Sequence, residues 1–282
     1  MIKLIASDLD GTIVDNKHSI PENNLKAINE LNKAHIPFAI CTGKTYSISK
    51  DICKGLNANY GIFGNGSQII NLTTGEEISK KVLSLDDLKP CFSMSAKYNL
   101  HIHAYTDTSI ITTKPEYMDL RNSILFPTQI KLEIVDSILD YIQKQNLSVL
   151  KLILSSSSDL SKVEEELKNI TNLTITRISK TGKYKDKIID KEYEYLDVSP
   201  LNVNKGKALE TLCRYLELNK SDILSIGDNI NDIDMFHASG IGAAVNNAYD
   251  EVKQVANYVT TNSVENAGFA EAIYKFIPFI QE

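Results

Sequence analysis

The sequence predicts an α/β protein: a doubly wound parallel-sheet core interrupted by an inserted α+β domain. Three observations predict it. Short apolar runs alternate with helix-period segments at both ends of the chain, that alternation lapses between about residues 84 and 189, and an apolar run closes on acid in each half, at Asp8 and at Asp228. The core is therefore expected over residues 1–83 and 190–282, and the insert over 84–189.

The opening run Met1 to Ser7 reads as a buried strand that turns sharply at Asp8-Leu9-Asp10-Gly11-Thr12. Ser19-Ile20-Pro21-Glu22 offers a helix start, with Leu25, Ile28 and Leu31 at helical spacing. Ile36 to Cys41 is the next strand, ending at Thr42-Gly43-Lys44 before a helix that closes near Gly55, and Tyr60 to Phe63 is a third. After Gly64-Asn65-Gly66 the pieces Ser67–Asn71 and Glu76–Leu83 read as a hairpin joined through Thr73-Thr74-Gly75.

Within the insert, His101–Tyr105 and Ser109–Thr113 pair as strands, Ile134–Gln145 and Ser158–Ile170 read as helices, and Leu147–Leu154 and Leu173–Ile178 as strands. Alternation resumes after Tyr193 to Val198, which joins the core by this reading. A helix from about Lys205 to Leu218 leads to a strand at Asp222–Ile226, which ends in Gly227-Asp228-Asn229-Ile230-Asn231-Asp232. Ile241–Val245 and Tyr258–Thr260 supply two more strands, and Gly268–Phe279 a terminal helix.

Composition narrows the function. With 282 residues, 43% hydrophobic and 23% charged, the chain can bury a core, which excludes disorder and collagen. Its formal charge of −6 repels a polyanion and argues against nucleic acid as the main partner. Cys41, Cys53, Cys91 and Cys213 form no Cys-x-x-Cys pair, so neither structural zinc nor a disulfide framework is indicated, and a reducing cytosol fits. The first apolar stretch is too short for a signal-peptide core and no run reaches a membrane span. A cytoplasmic protein with no membrane partner is expected; its oligomeric state is not legible.

In open parallel sheets ligands bind beyond the carboxyl ends of the strands. Four such ends are loaded, with Asp8 and Asp10, Thr42 and Gly43, Asn65 and Gly66, and Asp228, Asn231 and Asp232, while Lys205 opens a helix able to point into the same crevice. Converging carboxylates repel unless cations join them. Mg²⁺ with Lys205, and one carboxyl protonated, would bring the site near neutrality, and oxygen-only ligands favour Mg²⁺ over zinc. Asp8 and Asp10, two residues apart at a strand end that turns through Gly11, can address one ligand and divide labour. One attacks phosphorus in line; the other protonates the departing oxygen. Thr42 and the Gly43 amide, at a helix N-terminus, suit phosphate oxygens, as does a lysine ammonium.

These residues carry a resemblance that spans nearly the whole chain. Asp8-Leu9-Asp10-Gly11-Thr12, Thr42-Gly43, Asn204-Lys205-Gly206-Lys207 and Gly227 to Asp232 followed by Met235 are similar, in order, to the four motifs of the haloacid dehalogenase (HAD) superfamily. Within it, the chain resembles the Cof-type branch of small-molecule phosphatases with a large α/β (type IIB) cap on a Rossmann-like core. The resemblance implies that Asp8 is the nucleophile forming an aspartyl-phosphate and that Asp10 protonates the leaving group and then activates water. It implies Mg²⁺ held by Asp8, the Asp10 carbonyl and Asp228. Thr42, Gly43, Lys205 and Asn231 would hold the phosphoryl group, with Asp232 orienting Lys205. Lys44 departs from the family's usual Arg, replacing a planar bidentate donor with a point charge.

The expected activity is thus Mg²⁺-dependent hydrolysis of a small phosphorylated metabolite such as a sugar phosphate, nucleotide or cofactor precursor, with the insert closing over the crevice. Two rivals remain at this point: a phosphomannomutase-like phosphotransferase and a non-catalytic phospho-ligand sensor. Elsewhere, Asn65-Gly66 fits a hairpin turn as well as a substrate contact, and Gly11 and Thr12 serve the turn. His101, His103 and Tyr105 share one face of a strand. Six basic and two acidic residues between Arg177 and Lys191 could draw an anionic substrate or be solvated hairpin charges.

Overall fold

The chain alternates in the order its periodicity dictates. The computed structural model describes residues 1–15, 17, 19–114, 131–178 and 194–281. Cα proximity divides it into two units, Met1–Lys80 with Asn204–Glu282, and Lys81–Val203.

With strands numbered along the chain, the first unit contains β1 (Leu4–Ser7), β2 (Phe38–Cys41), β3 (Tyr60–Phe63), β4 (Gln68–Asn71), β5 (Glu77–Lys80), β12 (Ile223–Gly227), β13 (Ile241–Ala244) and β14 (Tyr258–Val259). They form one sheet in the order β14-β13-β12-β1-β2-β3-β4-β5, parallel from β14 to β3 and antiparallel at β4 and β5. β1 and β2 read Leu-Ile-Ala-Ser and Phe-Ala-Ile-Cys and are buried throughout, as central parallel strands covered on both faces must be.

One face packs Leu4, Ala6, Ala39, Cys41 and Ile62 against Leu209 and Leu212 of the helix Lys205–Tyr215, Met235 and Phe236 of Ile233–His237, and Val252 of Asp250–Val255. On the other face Phe38 meets Phe269 of the helix Gly268–Phe276, ring edge to ring face at 6.0 Å between centroids. The helix Glu22–Lys33 adjoins it through buried Asn24, which accepts from the Ala270 amide at 3.0 Å and donates to the Ile13 carbonyl at 3.2 Å.

Topology sets where a ligand can go. β1 leads to β2 on one side, whereas its other neighbour, β12, arrives only after the insert, so the strand order reverses between β1 and β12. Register aligns Ser7 with Ile226 and with Ile40, so Asp8, Thr42 and Asp228 leave the sheet at one edge.

The second unit is a six-stranded sheet, β10-β11-β9-β6-β7-β8, from β6 (His101–Thr106), β7 (Ser109–Thr112), β8 (Lys131–Ile134), β9 (Val149–Ser156), β10 (Thr174–Ile178) and β11 (Glu194–Ser199). Ile102, Ala104, Leu152, Leu154, Leu196 and Val198 face the helices Leu85–Tyr98, Ile138–Gln145 and Ser161–Ile170. The opposite face carries buried His103, Tyr105, Lys151 and Asp197, with Lys151 Nζ 2.7 Å from Asp197 Oδ2 and over the Tyr105 ring at 5.2 Å.

Several expectations are corrected. Alternation assigns Glu194–Ser199 to the core, but this strand pairs antiparallel with β9 and β10, so its unit extends to Val203. The helix expected from Ile134 begins at Ile138, where Ser137 caps it by accepting from the Asp140 amide, and Lys131–Ile134 is instead a strand parallel to β7. Leu85–Tyr98 is helical despite Pro90, started by a reciprocal Ser84–Asp87 capping box. The terminal helix stops at Phe276, ahead of Pro278. Of the basic stretch, residues 179–191 lie outside the described residues; Arg177 is bound to Glu164 and Glu194.

Candidate active site

The site starts from a backbone that cannot continue as a strand. After Asp8, whose amide donates to the Ile226 carbonyl, the amides of Ile13 and Val14 both return to the Leu9 carbonyl. Gly11 makes the turn at φ +88°, and a Cβ there would run into the Asp228 carboxylate. That close approach joins the two acidic strand ends. Thr12, read from sequence as serving the turn and its hydrogen bonds, donates to Asp228 Oδ1 at 2.8 Å.

Lys205 supplies the first positive charge. Asn204 caps its helix by accepting from the Lys207 amide at 2.7 Å, which sets the first turn against the crevice. The fully buried ammonium lies 2.6 Å from Asp8 Oδ1 and 2.6 Å from Asp232 Oδ1. Burial works against this charge, but Asp232 and Asp8 outweigh it and hold the Lys205 pKa above its usual value. The other Asp232 oxygen accepts from the amides of Asp228 and Asn229 at 3.0 and 2.9 Å. Side-chain-free Gly227 makes room for it, since a Cβ would meet the Asp232 carboxyl carbon at 2.5 Å.

The carboxylates remain in excess. Asp8, Asp228 and Asp232 are buried and offer oxygens within 4.8 Å of one another. Desolvation, only partly offset by Lys205 and reinforced by Asp232 and Asp10, pushes Asp8 up to about 7. Asp228 is raised well above the usual carboxylate range by burial and by its neighbours Asp8 and Asp232. Asp232 has both oxygens engaged, whereas Asp8 and Asp228 are each bonded through Oδ1 alone among the described residues.

The second cation is Lys44, whose Nζ lies 2.7 Å from Asp10 Oδ1. Four carboxylates facing two ammonium groups leave a double negative charge, which one divalent ion cancels without protonating any of them. The oxygen-only donor set thus fits Mg²⁺ in charge and chemistry.

Thr42 and Gly43 stand at the end of β2, tied to β3 by the Thr42 amide on the Ile62 carbonyl and the Asn65 amide on the Thr42 carbonyl. Their helix starts only at Tyr46, so the Gly43 amide belongs to the preceding loop and not to a helix N-terminus, which corrects that part of the phosphate-site rationale. Asn231 donates through Nδ2 to Asn65 Oδ1 at 3.0 Å. Asn65, at φ 56° beyond β3, thus meets Asn231 as well as making the turn.

The structure brings together Asp8, Asp228, Asp232 and Lys205 directly, adds Asp10 through its loop, and links Asn231 to the β3 end. Sequence reasoning missed Asn247. Its Nδ2 donates to the Gly11 carbonyl at 2.8 Å and its Oδ1 accepts from the Val264 amide at 2.7 Å, while the Tyr249 amide holds the Asp228 carbonyl at 3.0 Å. No local pattern marks it; Lys44, directly after Thr42-Gly43, was read from sequence only as a departure from the family's usual Arg.

A doubly wound sheet whose switch point gathers four aspartates and a bridging lysine is that of a haloacid dehalogenase-type hydrolase. The chain belongs to that family: the sequence profile of haloacid dehalogenase-like hydrolases matches residues 5–273. It is similar to the putative phosphatase YxeH of Bacillus subtilis, 26% identical over 98% of this chain and 99% of that one. It is also 27% identical to the 5-amino-6-(5-phospho-D-ribitylamino)uracil phosphatase YcsE of the same organism, over 98% and 96% of the two chains. A haloacid dehalogenase-like hydrolase from Bacteroides thetaiotaomicron shares the fold at a TM-score of 0.82 and 24% identity, over 98% of this chain and 100% of that one.

Proposed function

We propose that the protein is a Mg²⁺-dependent phosphatase that hydrolyses a small phosphorylated metabolite through an aspartyl-phosphate at Asp8, and that it works in the cytoplasm. The observation that carries this reading is the buried Lys205 ammonium shared by Asp8 and Asp232, beside an Asp228 whose burial and acidic neighbours make its ionised form costly until a further cation joins it. Such a site is incomplete without a divalent ion and a group bearing phosphate-like oxygens.

Asp8, Asp228 and the Asp10 carbonyl would hold Mg²⁺, which when bound supplies charge to draw in and polarise the phosphoryl oxygens. Asp8 attacks phosphorus as the ester P–O bond breaks, and Asp10 gives its proton to the departing alkoxide. Asp10 then takes a proton from water, whose oxygen attacks the acyl phosphate, releasing inorganic phosphate and restoring Asp8. Lys205, with Thr42, Gly43 and Asn231, binds the phosphoryl oxygens, and Asp232 keeps Lys205 in position. Relatives named as phosphatases, one of them for a phosphorylated ribitylamino-uracil, support the substrate class.

The test is a panel of phosphorylated sugars, nucleotides and cofactor precursors, assayed in [¹⁸O]water with Mg²⁺ and with chelator. Labelled inorganic phosphate, released only with Mg²⁺, is the expected result. A rearranged sugar phosphate without label would favour phosphotransfer, and no metal-dependent release across the panel would favour a sensor.

A further inference from the structure

The position where this chain carries Lys44 is tied to the acid Asp10 more tightly than its loop setting requires. The Lys44 backbone is fixed at both ends: its amide donates to Thr42 Oγ1 at 3.2 Å, and its carbonyl accepts from the Gly64 amide at 2.8 Å. Both bonds come from strand ends of the core sheet, so the side chain leaves from a rigid base. That side chain is only 10% exposed, while Asp10 is 38% exposed, and Lys44 Nζ reaches Asp10 Oδ1 at 2.7 Å. Asp10 Oδ2 takes no hydrogen bond among the described residues.

Asp10 is a short side chain on a loop that turns through Gly11. Without an anchor its carboxyl would be free to rotate about χ1 and χ2. A buried ammonium on one oxygen removes that freedom and distinguishes the two oxygens.

We propose that Lys44 is a positioning residue that clamps Oδ1 of Asp10, so that Oδ2 alone is presented to the oxygen leaving phosphorus and later to the attacking water. This rests on the phosphatase reading of the site. In the first half-reaction the proton passes from Asp10 Oδ2 to the leaving alkoxide as the P–O bond breaks; in the second it passes from water to the same oxygen. Lys44 acts only by holding Oδ1 of Asp10 and needs no contact with substrate. It differs in this from Lys205, whose partners are the nucleophile and Asp232.

The test compares wild type with Lys44→Met and Lys44→Arg across a leaving-group series, from 4-nitrophenyl phosphate to the best alkyl phosphate of the panel, by kcat/KM, which reports the first P–O cleavage. In Lys44→Met the loss should grow as the leaving group worsens, reaching ~10²-fold for the alkyl ester, the usual worth of a placed general acid. Inhibition by inorganic phosphate should hold steady, and Lys44→Arg should recover most of the alkyl rate. Equal loss across the series, or parallel weakening of phosphate inhibition, would make Lys44 a substrate-binding cation and overturn the proposal.

Crystals of Lys44→Met add a readout that needs no turnover: the Asp10 carboxyl should leave its wild-type rotamer, and an unmoved carboxyl would overturn the clamp. An inactive wild type would refute the phosphatase reading while leaving this second readout to decide the clamp.

Discussion

The ammonium of Lys205 sits 2.6 Å from Oδ1 of Asp8, joining the end of the first strand to a helix that starts 197 residues later. Neither residue can be buried alone at tolerable cost, and each makes the other's burial feasible. The insert thus interrupts the core in sequence without separating the two halves of its chemistry.

Replacing Asp8 with Asn removes the charge proposed to attack phosphorus but little volume. Turnover should fall by at least ~10³-fold, the scale of losing a covalent nucleophile, with the fold retained by circular dichroism. Phosphoenzyme trapped by acid quench from wild type should be absent from the variant. A variant with wild-type turnover would exclude covalent catalysis at Asp8.

Asp232 spends both oxygens inside the protein, on Lys205 and on two backbone amides. Asp232→Ala leaves the buried ammonium with Asp8 alone and two backbone amides without their acceptor, and should destabilise by ~3–5 kcal/mol in urea unfolding. Activity should drop even under conditions where the variant is folded, because Lys205 loses its orientation. A stability change under ~1 kcal/mol would show that the triad is not cooperative.

Asp8 is raised from the usual 3.8 to about 7 by burial, and Asp228 is raised as well. A carboxyl raised on folding binds its proton more tightly in the native state, so its stabilising effect is complete below the unfolded value and is lost as pH rises through the folded one. The metal-free protein should therefore lose melting temperature between about pH 4 and 7. Mg²⁺ favours the ionised carboxylates and should raise Tm more at pH 8 than at pH 5. Calorimetry showing an equal or larger Mg²⁺ shift at pH 5 would contradict this account.

Asn65 accepts from Asn231 Nδ2 through Oδ1, from a left-handed backbone at φ 56°. Asn65→Gly keeps that conformation accessible and removes the side chain that accepts from Asn231. Inhibition by inorganic phosphate should weaken by up to ~10-fold, about the worth of one hydrogen bond, with Tm nearly unchanged. Phosphate binding equal to wild type would make Asn65 a turn residue only.

The local signals that survive in the structure are those that physics expresses over a few residues. The apolar runs at β1, β2 and β12 announce buried parallel strands because a strand covered on both faces has no polar side to alternate. Asp8, Asp10 and Asp228 are legible because acid directly after such a run stands at a strand's carboxyl end. The Ser84–Asp87 capping box of the helix Leu85–Tyr98 is equally local, though the sequence reading named no element there.

What sequence alone determined is therefore the doubly wound core, the presence of an insert, and the identity of most groups that face the crevice. Tertiary structure alone decided the partners. The strand Glu194–Ser199 joined the insert's sheet because antiparallel hydrogen bonds to two neighbours outweigh its proximity in sequence to the core. Likewise Lys44 on Asp10, Asn65 on Asn231 and Asn247 on Gly11 depend on side chains meeting across loops, a matter of distance in space that no spacing along the chain encodes.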